Sequence, residues 1–265
     1  METQLPVSLQ PLIAAYLKVL EPLCSHFYGI YIYGSIALDA FEEQESDIDI
    51  IALMQGEWTS YELAQLEAVH AQLLREQPLS KRLDVQYLPF RDLGKMATIA
   101  PHPILRDGKF VSATHGDLNA VTWWITKHQG IRLRGPEPSA LPLEVAWKDV
   151  LATMRYNLDS YWASKAKRPY LFWFDYWVMT AVATLCCILT AIEEGEIIAK
   201  SPALLRWRDR FPERWQLLLD EAWRIRHHLH QSSLYRNRIQ RMRETLAFIE
   251  YVRKRGHEVL ATSSV

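Results

Sequence analysis

The stretch Tyr33–Ile50, YGSIALDAFEEQESDIDI, places two small residues after an apolar run and, further on, two carboxylates one residue apart. Residues two apart in a strand point to the same side, so Asp47 and Asp49 project together while the isoleucines beside them enter the core. Adjacent carboxylates repel each other unless a cation lies between them, and hard oxygen ligands suit a hydrated divalent metal such as Mg²⁺. The stretch therefore predicts a metal site at a strand end, with substrate phosphates as further ligands.

The first half of the same stretch predicts a phosphate-binding turn. Gly34 allows close approach of the backbone where the first strand ends, and Ser35 offers a hydroxyl and an amide at the start of the helical run IALDAF. Small residues at a helix N-terminus favour phosphate binding. One half of the stretch is thus expected to hold anionic oxygens, and the other half the metal that neutralises them.

A third acid, Asp84, lies in a later β-like run, RLDVQYL. In a strand, Asp84 and Gln86 face one side and the apolar residues between them face the other. If this strand pairs beside the Asp47 strand, three carboxylates converge on one face. Such a face favours in-line displacement at phosphorus, with metal ions stabilising the attacking and leaving oxygens.

The distribution of strand-like and helix-like patterns along the chain predicts two domains. Short β-like runs at 27–33, 47–53 and 82–88 dominate the first part, and TSYELAQLEAVHAQLLREQ, with Thr59 or Ser60 as N-cap, is an amphipathic helix between the last two. After the Gly/Pro-rich break Arg134–Pro142, long helical patterns dominate. We predict an α/β N-terminal domain with a small mixed sheet over 1–145 and an all-α C-terminal helical bundle over 146–265.

Composition limits the classes of protein. The 265 residues carry 30 Lys+Arg against 31 Asp+Glu and are 49% hydrophobic, which indicates a globular protein and gives no reason to expect nucleic acid binding. Cys24, Cys186 and Cys187 have neither disulfide nor metal-ligand spacing. The N-terminus lacks a basic leader, and no uninterrupted apolar run approaches bilayer length. We expect a cytoplasmic, monomeric protein without a membrane partner.

The site residues resemble a known superfamily. The GS pair beginning at Gly34, a spacer, and the SDID run (Ser46–Asp49), followed by a separate acidic strand, resemble nucleotidyltransferases of the polymerase-β type. Phe41 in the spacer, WWITKHQGIRLRGP (Trp123–Pro136) and LCCILTAIEEGEIIAK (Leu185–Lys200) extend the resemblance to aminoglycoside adenylyltransferases of the streptomycin/spectinomycin kind. Those enzymes have a catalytic domain followed by a helical C-terminal domain.

This resemblance implies roles for the residues of the first domain. Asp47 and Asp49 bind Mg²⁺, expected as two ions, and the phosphates of ATP, while Gly34, Ser35 and Ser46 form the phosphate seat. A glutamate acting as catalytic base on the attacking hydroxyl is replaced here by the shorter Asp84. Because proton abstraction requires hydrogen-bond reach, Asp84 is either that base or a third metal ligand.

In the second domain the resemblance implies a cationic contribution to ATP binding. Lys200 matches a lysine that neutralises the triphosphate, although any lysine at a helix end gains from the macrodipole. An arginine expected a few residues earlier is replaced by Cys187. Loss of a bidentate phosphate donor is expected to weaken nucleotide binding unless another residue, such as Arg226, replaces it.

The implied activity is magnesium-dependent transfer of AMP from ATP to a hydroxyl of a small acceptor, with release of pyrophosphate. An aminoglycoside or spectinomycin acceptor, and hence antibiotic resistance, is the first expectation. A cationic aminosugar requires carboxylates and aromatic faces. Five acids of the helical half are available: Asp175, Glu193, Glu194, Asp220 and Glu221. The aromatic cluster YLFWFDYW (Tyr170–Trp177) is expected to pack the helical domain, with lining of a substrate cleft as the alternative.

Two other functions stay open. The chain could adenylylate a protein or tRNA, as minimal nucleotidyltransferases of toxin–antitoxin pairs do. Alternatively, RIRHHLH (Arg224–His230) fits an arginine–histidine pattern of helical ribonuclease domains, and nearby arginines could follow RNA phosphates; these are Arg236, Arg238, Arg241 and Arg243. His115 and Asp117 in THGDLN resemble an acid–base pair, but the favoured prediction is a turn with an aspartate or asparagine N-cap before the helix AVTWWITKH.

Overall fold

The computed structural model describes residues 5–96, 99–229 and 232–262. The chain divides into two compact units, Met1–Ala146 and Trp147–Val265. A six-stranded sheet with helices builds the first unit, and helices build the second. The predicted fold class, α/β followed by all-α, is therefore confirmed.

One mixed sheet organises the first unit. Its strands are β1 (Phe27–Ile32), β2 (Ile48–Met54), β3 (Leu83–Pro89), β4 (His102–Arg106), β5 (Lys109–Thr114) and β6 (Ile131–Arg134). The order across the sheet is β5-β4-β3-β2-β1-β6. β2 and β3 pair in parallel and the other neighbouring strands pair antiparallel. β1, β2 and β3 confirm the three predicted strands.

Helices cover this sheet and supply its crossover. They are α1 (Gln10–Val19), α2 (Gly34–Ala37), α3 (Ser60–Glu76) and α4 (Ala120–Gln129). α3 connects the two parallel strands, which need such a crossover. Thr59 caps it as predicted: its hydroxyl accepts from the Glu62 amide, and the Glu62 carboxylate accepts from the Thr59 amide.

The sheet core follows the predicted alternation of side chains. Ile48, Ile50 and Val85 are fully buried, and they pack in one cluster with Leu66 and Leu73 of α3. Burying each such side chain stabilises the fold by roughly 1.5–3 kcal/mol. This packing fixes the face of β2 and β3 that carries the carboxylates, because a slip by one residue would bury them.

The second unit is a bundle around one central helix. It begins with α5 (Trp147–Tyr156), which continues through a π-helical segment (Asn157–Trp162) into α6 (Ala163–Ala166). The remaining helices are α7 (Asp175–Glu194), α8 (Lys200–Arg208), α9 (Gln216–Arg226) and α10 (Arg238–Thr262). α7 packs against α5, α8, α9 and α10.

The apolar character of α7 follows from this central position. Among the described residues, α7 is the single helix that is long and apolar enough to cross a membrane. Of its apolar 18-residue stretch, 67% is buried inside the protein. This agrees with the expectation that no uninterrupted apolar run approaches bilayer length, because Thr180, Thr184 and Thr190 interrupt the apolar residues of α7. Its buried surface makes it the core helix of the bundle.

Two local predictions were wrong. The helical run that contains Ser35 is the four-residue helix α2, which ends at Ala37, and Asp39 has a φ of 52°. The aromatic cluster does not pack as a whole: Phe172 is fully buried, but most of its other rings are exposed. These exposed residues are Tyr170, Trp173, Phe174 and Tyr176.

Candidate active site

The predicted carboxylate face forms at the start of the parallel strand pair. Asp49 on β2 and Asp84 on β3 are direct register partners, as the sequence predicts. Neighbouring strands lie about 4.8 Å apart, so the two side chains leave the same face side by side. Asp47 precedes the first residue of β2 and is exposed. Its negative charge acts on Asp84, which places it in the same electrostatic environment.

Gly34 lies against the Asp49 carboxylate. Its φ is +67°, and a Cβ atom added there would lie 2.0 Å from Asp49 Oδ2. The Tyr33 amide donates to the Asp49 carbonyl at 3.0 Å, which holds the end of β1 beside the start of β2. Only glycine satisfies both the left-handed conformation and the close approach. The GS turn and the first carboxylate strand are thus built as one unit.

The two predicted phosphate-binding serines have different surroundings. The Ser35 hydroxyl is buried without a hydrogen-bond partner. Ser46 Oγ accepts from the Glu42 amide at 3.0 Å, and Arg82 donates to the carbonyls of Glu42, Glu43 and Ser46. Ser46 therefore helps to hold the loop that delivers Asp47. Ser35 is the serine with hydrogen-bonding capacity still available for a ligand.

Arg106, which sequence reasoning missed, and Asp117, for which it favoured a turn, complete this face. Arg106 donates from Nε to Asp84 Oδ2 at 2.6 Å and from Nη2 to Asp84 Oδ1 at 3.2 Å. The same Nη2 lies 3.2 Å from Asp117 Oδ1, which also accepts from Gln86 Nε2 at 2.8 Å. Asn119 is the N-cap of α4, which confirms the predicted turn, but Asp117 belongs to the acidic face.

A hairpin signal would have found Arg106. Asp107 and Gly108, with φ of 53° and 72°, connect β4 to β5. An Asp-Gly pair between two β-like runs is a strong hairpin indicator. Val85 pairs with Leu105 in the antiparallel β3–β4 ladder. The next position along this ladder places Arg106 opposite Asp84.

Burial and charge shift the titration of this face. Burial raises the pKa of Asp84, hydrogen bonds from Arg106 oppose that rise, and the charges of Asp117 and Asp47 add to it. Burial likewise raises the pKa of Tyr33 well above its ordinary value, and the charges of Asp49, Asp117 and Asp84 contribute. Several negative charges therefore act on one small region.

The donor set fits a divalent cation at Asp47 and Asp49 but not at Asp84. Oxygen ligands two residues apart suit Mg²⁺, and the orphaned Ser35 hydroxyl beside the Gly34 turn offers a further oxygen. Both oxygens of Asp84 are engaged by Arg106. Among the described residues, no group of three or more His, Cys, Asp or Glu side chains is arranged to hold a metal ion.

In the helical unit, Lys200 and Arg226 form one cationic cluster. Burial raises the pKa of the Cys187 thiol to about 11, while the charges of Lys200 and Arg226 lower it, so both cations lie near Cys187. Arg226 is buried, and its Nε donates to Ser201 Oγ at 2.6 Å. Lys200 is the first residue of α8, where the helix dipole disfavours a cation. The macrodipole explanation for Lys200 was therefore wrong.

The five acids considered for an aminosugar are all paired with arginines. Glu193 pairs with Arg255, Glu194 with Arg206 and Arg210, and Asp220 with Arg208. Asp175 pairs with Arg241 at 2.7 Å but keeps 54% of its side chain exposed.

Glu221 is fully buried, which excludes it from direct contact with an acceptor. Burial raises its pKa, but hydrogen bonds outweigh this and lower it to about 2. The donors are Arg224, the Leu234 amide, Ser233 and Arg241.

This same network weakens the interpretation of the arginine-rich segment as an RNA surface. Arg241 is 2% exposed and donates to Glu221 at 2.9 Å. Arg224 binds Glu221 through two hydrogen bonds of 2.9 and 3.0 Å. His230 lies outside the described residues. Two arginines of the proposed RNA track are therefore structural ion-pair partners.

Comparisons with known proteins agree with this architecture. No protein-family model matches the sequence, and no curated protein matches it significantly. In fold, the chain is similar to the crystal structure of spectinomycin adenyltransferase AAD(9) from Enterococcus faecialis with ATP and spectinomycin. The TM-score is 0.66 at 16% sequence identity, over 92% of this chain and 98% of that chain. At this identity the likeness shows a common fold, and it is the fold that the resemblance to aminoglycoside adenylyltransferases implies.

Proposed function

We propose that the protein is a magnesium-dependent nucleotidyltransferase that moves AMP from ATP to a hydroxyl of a small acceptor and releases pyrophosphate. The observation that carries this proposal is the face on which Gly34 abuts the Asp49 carboxylate and Asp49 pairs in register with Asp84. A phosphate turn, a metal-binding acid and a candidate base are thereby joined on adjacent strands. The fold similarity to a spectinomycin adenyltransferase supports the same reaction class.

In the proposed step, the acceptor hydroxyl oxygen attacks the α-phosphorus of ATP. The new bond joins that oxygen to phosphorus, and the bond from phosphorus to the oxygen that bridges the α- and β-phosphates breaks. The electron pair leaves on pyrophosphate, and the hydroxyl proton passes to Asp84. A positioned base contributes roughly 10²–10⁴-fold to such a step. The Asp84 side chain is mostly buried, with 14% of it exposed. This burial suits the role of a base.

Mg²⁺ would be held by Asp47 and Asp49, and it would supply charge stabilisation at the phosphate oxygens. The residues around it would orient the nucleotide. The Ser35 hydroxyl would donate to a phosphate oxygen, since it is buried without a partner of its own. Gly34 would leave room for the backbone to approach the phosphates, and Ser46 would keep the Asp47 loop in place through Glu42.

Lys200 and Arg226 are our candidates for cationic phosphate ligands. Both act electrostatically on Cys187, and Ser201 orients the Arg226 guanidinium. Arg226 thereby replaces the arginine that the resemblance leads one to expect at Cys187. Charge-assisted hydrogen bonds to phosphate are roughly twice as strong as neutral ones.

For the acceptor we propose a cationic aminosugar of the aminoglycoside or spectinomycin type. The supporting feature is Asp175, half exposed and flanked by exposed rings of Phe174 and Tyr176. A carboxylate next to aromatic faces suits an amine-bearing sugar, because aromatic faces attract cations. Asp175 is the acid we retain, since Glu221 is buried.

The test is an acceptor screen with α-labelled ATP and Mg²⁺. Aminoglycosides and spectinomycin are each incubated with the wild-type chain and with Asp47→Asn, whose fold is checked by circular dichroism. We expect labelled product with at least one acceptor from the wild-type chain and none from the variant. If the wild-type chain labels no small acceptor but does label a protein or tRNA, the acceptor proposal is wrong and the transfer proposal stands.

A further inference from the structure

Asp84 is the end point of an ordered chain of polar contacts. His102 Nε2 lies 3.1 Å from Gln86 Oε1, Gln86 Nε2 donates to Asp117 at 2.8 Å, and Asp117 shares the Arg106 guanidinium with Asp84. Gln86 is fully buried and His102 is 3% exposed, so the chain is anchored inside the unit.

Gly116 shows how closely this chain is packed. A Cβ atom added at Gly116 would lie 2.0 Å from Gln86 Oε1 and 3.0 Å from His102 Nε2. The glycine before Asp117 therefore lets the backbone pass directly over the Gln86–His102 contact. Asp117 is delivered to Arg106 by a turn that accommodates no side chain.

This arrangement opposes metal binding by Asp84. A bidentate guanidinium takes one direction of each carboxylate oxygen, which opposes chelation of a metal by both Asp84 oxygens but leaves a direction that can accept a proton from a hydroxyl. The fixed positive charge of Arg106, 2.6 Å from Asp84 Oδ2, also repels a dication at that position. Asp84 is a register neighbour of Asp49, and Arg106 holds its carboxylate.

We propose that Arg106 and Asp117 are positioning residues that hold Asp84 out of the metal site, so that the metal binds at Asp47 and Asp49 while Asp84 faces the acceptor. This rests on the proposed function. Arg106 fixes the direction of the Asp84 carboxylate, and Asp117 fixes Arg106. The two acids of the parallel strand pair thereby have separate tasks, although they lie side by side.

The first measurement determines the number of metal ions bound and their affinity in the absence of turnover. Mn²⁺ is titrated in the presence of α,β-methylene ATP, and free Mn²⁺ is followed by electron paramagnetic resonance. We expect Asp47→Asn to weaken Mn²⁺ binding at least ten-fold and Asp84→Asn to leave it within two-fold of the wild-type chain. Weakening by Asp84→Asn equal to that by Asp47→Asn would overturn the inference and leave the proposed function intact. No Mn²⁺ binding by the wild-type chain would overturn both.

The second measurement releases Asp84. In Arg106→Gln we expect Mn²⁺ affinity to rise several-fold, because Asp84 becomes available to the metal, and adding Asp84→Asn should abolish the gain. A gain that persists in the double variant would come from charge removal alone and would overturn the inference. Arg132→Gln, which removes the arginine of the surface pair with Glu137, is the matched control and should change nothing.

Turnover measurements then distinguish a positioning role of Arg106 from an effect of its charge alone. We expect Arg106→Gln and Arg106→Lys to lower kcat by similar factors of about ten to a hundred, with KM for ATP unchanged, because lysine retains the charge but not the bidentate fork. Asp117→Asn should lower kcat less than Arg106→Gln. Full activity of Arg106→Lys would show that only the charge matters, against a positioning role.

Discussion

Replacing Gly34 by alanine tests the construction of the site most sharply. The left-handed backbone at Gly34 costs an alanine about 1–2 kcal/mol. Its Cβ would lie 2.0 Å from Asp49 Oδ2, whereas ordinary contacts are 3.4–4 Å, so the carboxylate must move by more than 1 Å. A misplacement of about 1 Å costs roughly 10²-fold in rate. We therefore expect Gly34→Ala to fold, to melt a few degrees lower, and to lose about a hundred-fold or more in turnover.

Gly56 provides the matched control for this prediction. Its φ of +86° imposes a similar backbone cost, but a Cβ atom there would meet nothing within 4 Å. Gly56→Ala should therefore lower the melting temperature by a similar amount and retain full activity. The assays are pyrophosphate release with ATP and acceptor, and thermal unfolding followed by circular dichroism. Equal activities of the two variants would refute the reasoning that Gly34 exists to accommodate Asp49.

Three further predictions concern separate features. Asp84→Asn should lower turnover by about 10²–10⁴-fold with little change in ATP affinity, and Asp84→Glu should preserve turnover if Asp84 is the base; wild-type turnover of Asp84→Asn would place the base elsewhere. Burial lowers the pKa of His70 from 6.5 to about 4, so the unfolded chain binds the proton more readily than the folded chain. The free energy of unfolding should therefore fall by up to about 3 kcal/mol as pH drops from 6.5 to 4. Denaturant unfolding of His70→Gln should lack this dependence on pH, and equal pH dependence of the two proteins would contradict the assignment of the effect to His70. Glu221→Ala leaves Arg241 buried beside a lost partner and should destabilise the chain by about 3–5 kcal/mol, whereas a change below 1 kcal/mol in chemical denaturation would show that the pair is dispensable.

The carboxylate strands could be predicted because their signal is local. Alternation around Asp47 and Asp49 states which side chains face the core, and β-branched residues mark the strand itself. The pairing of Asp49 with Asp84 follows from placing two such strands beside each other. The sequence therefore sufficed for the acidic face of β2 and β3.

The partners of that face depend on register and could not be derived from alternation. Arg106 reaches Asp84 because the Asp107–Gly108 turn sets the β4–β5 hairpin and β4 pairs antiparallel with β3. Asp117 reaches Arg106 through the turn at Gly116. Neither contact lies within one element, so neither leaves a periodic trace in the sequence.

In the helical unit, composition was a poor guide to arrangement. Glu221 looked available for a substrate, but Arg224 three residues later and Arg241 from α10 enclose it. Lys200 looked like the end of a helix, but α7 ends at Glu194 with Gly195 at φ 68°, and Lys200 begins α8. Long-range pairing and a left-handed cap decided both cases.

The most direct test of nucleotidyl transfer follows the two ends of ATP separately. The wild-type chain is incubated with Mg²⁺ and an acceptor from the screen, once with α-labelled and once with γ-labelled ATP, and the products are resolved by chromatography. We predict that the α-label appears on the acceptor and the γ-label appears in pyrophosphate. Transfer of the γ-label to the acceptor, or release of the γ-label as orthophosphate without acceptor labelling, would contradict nucleotidyl transfer at the Asp47–Asp49 site.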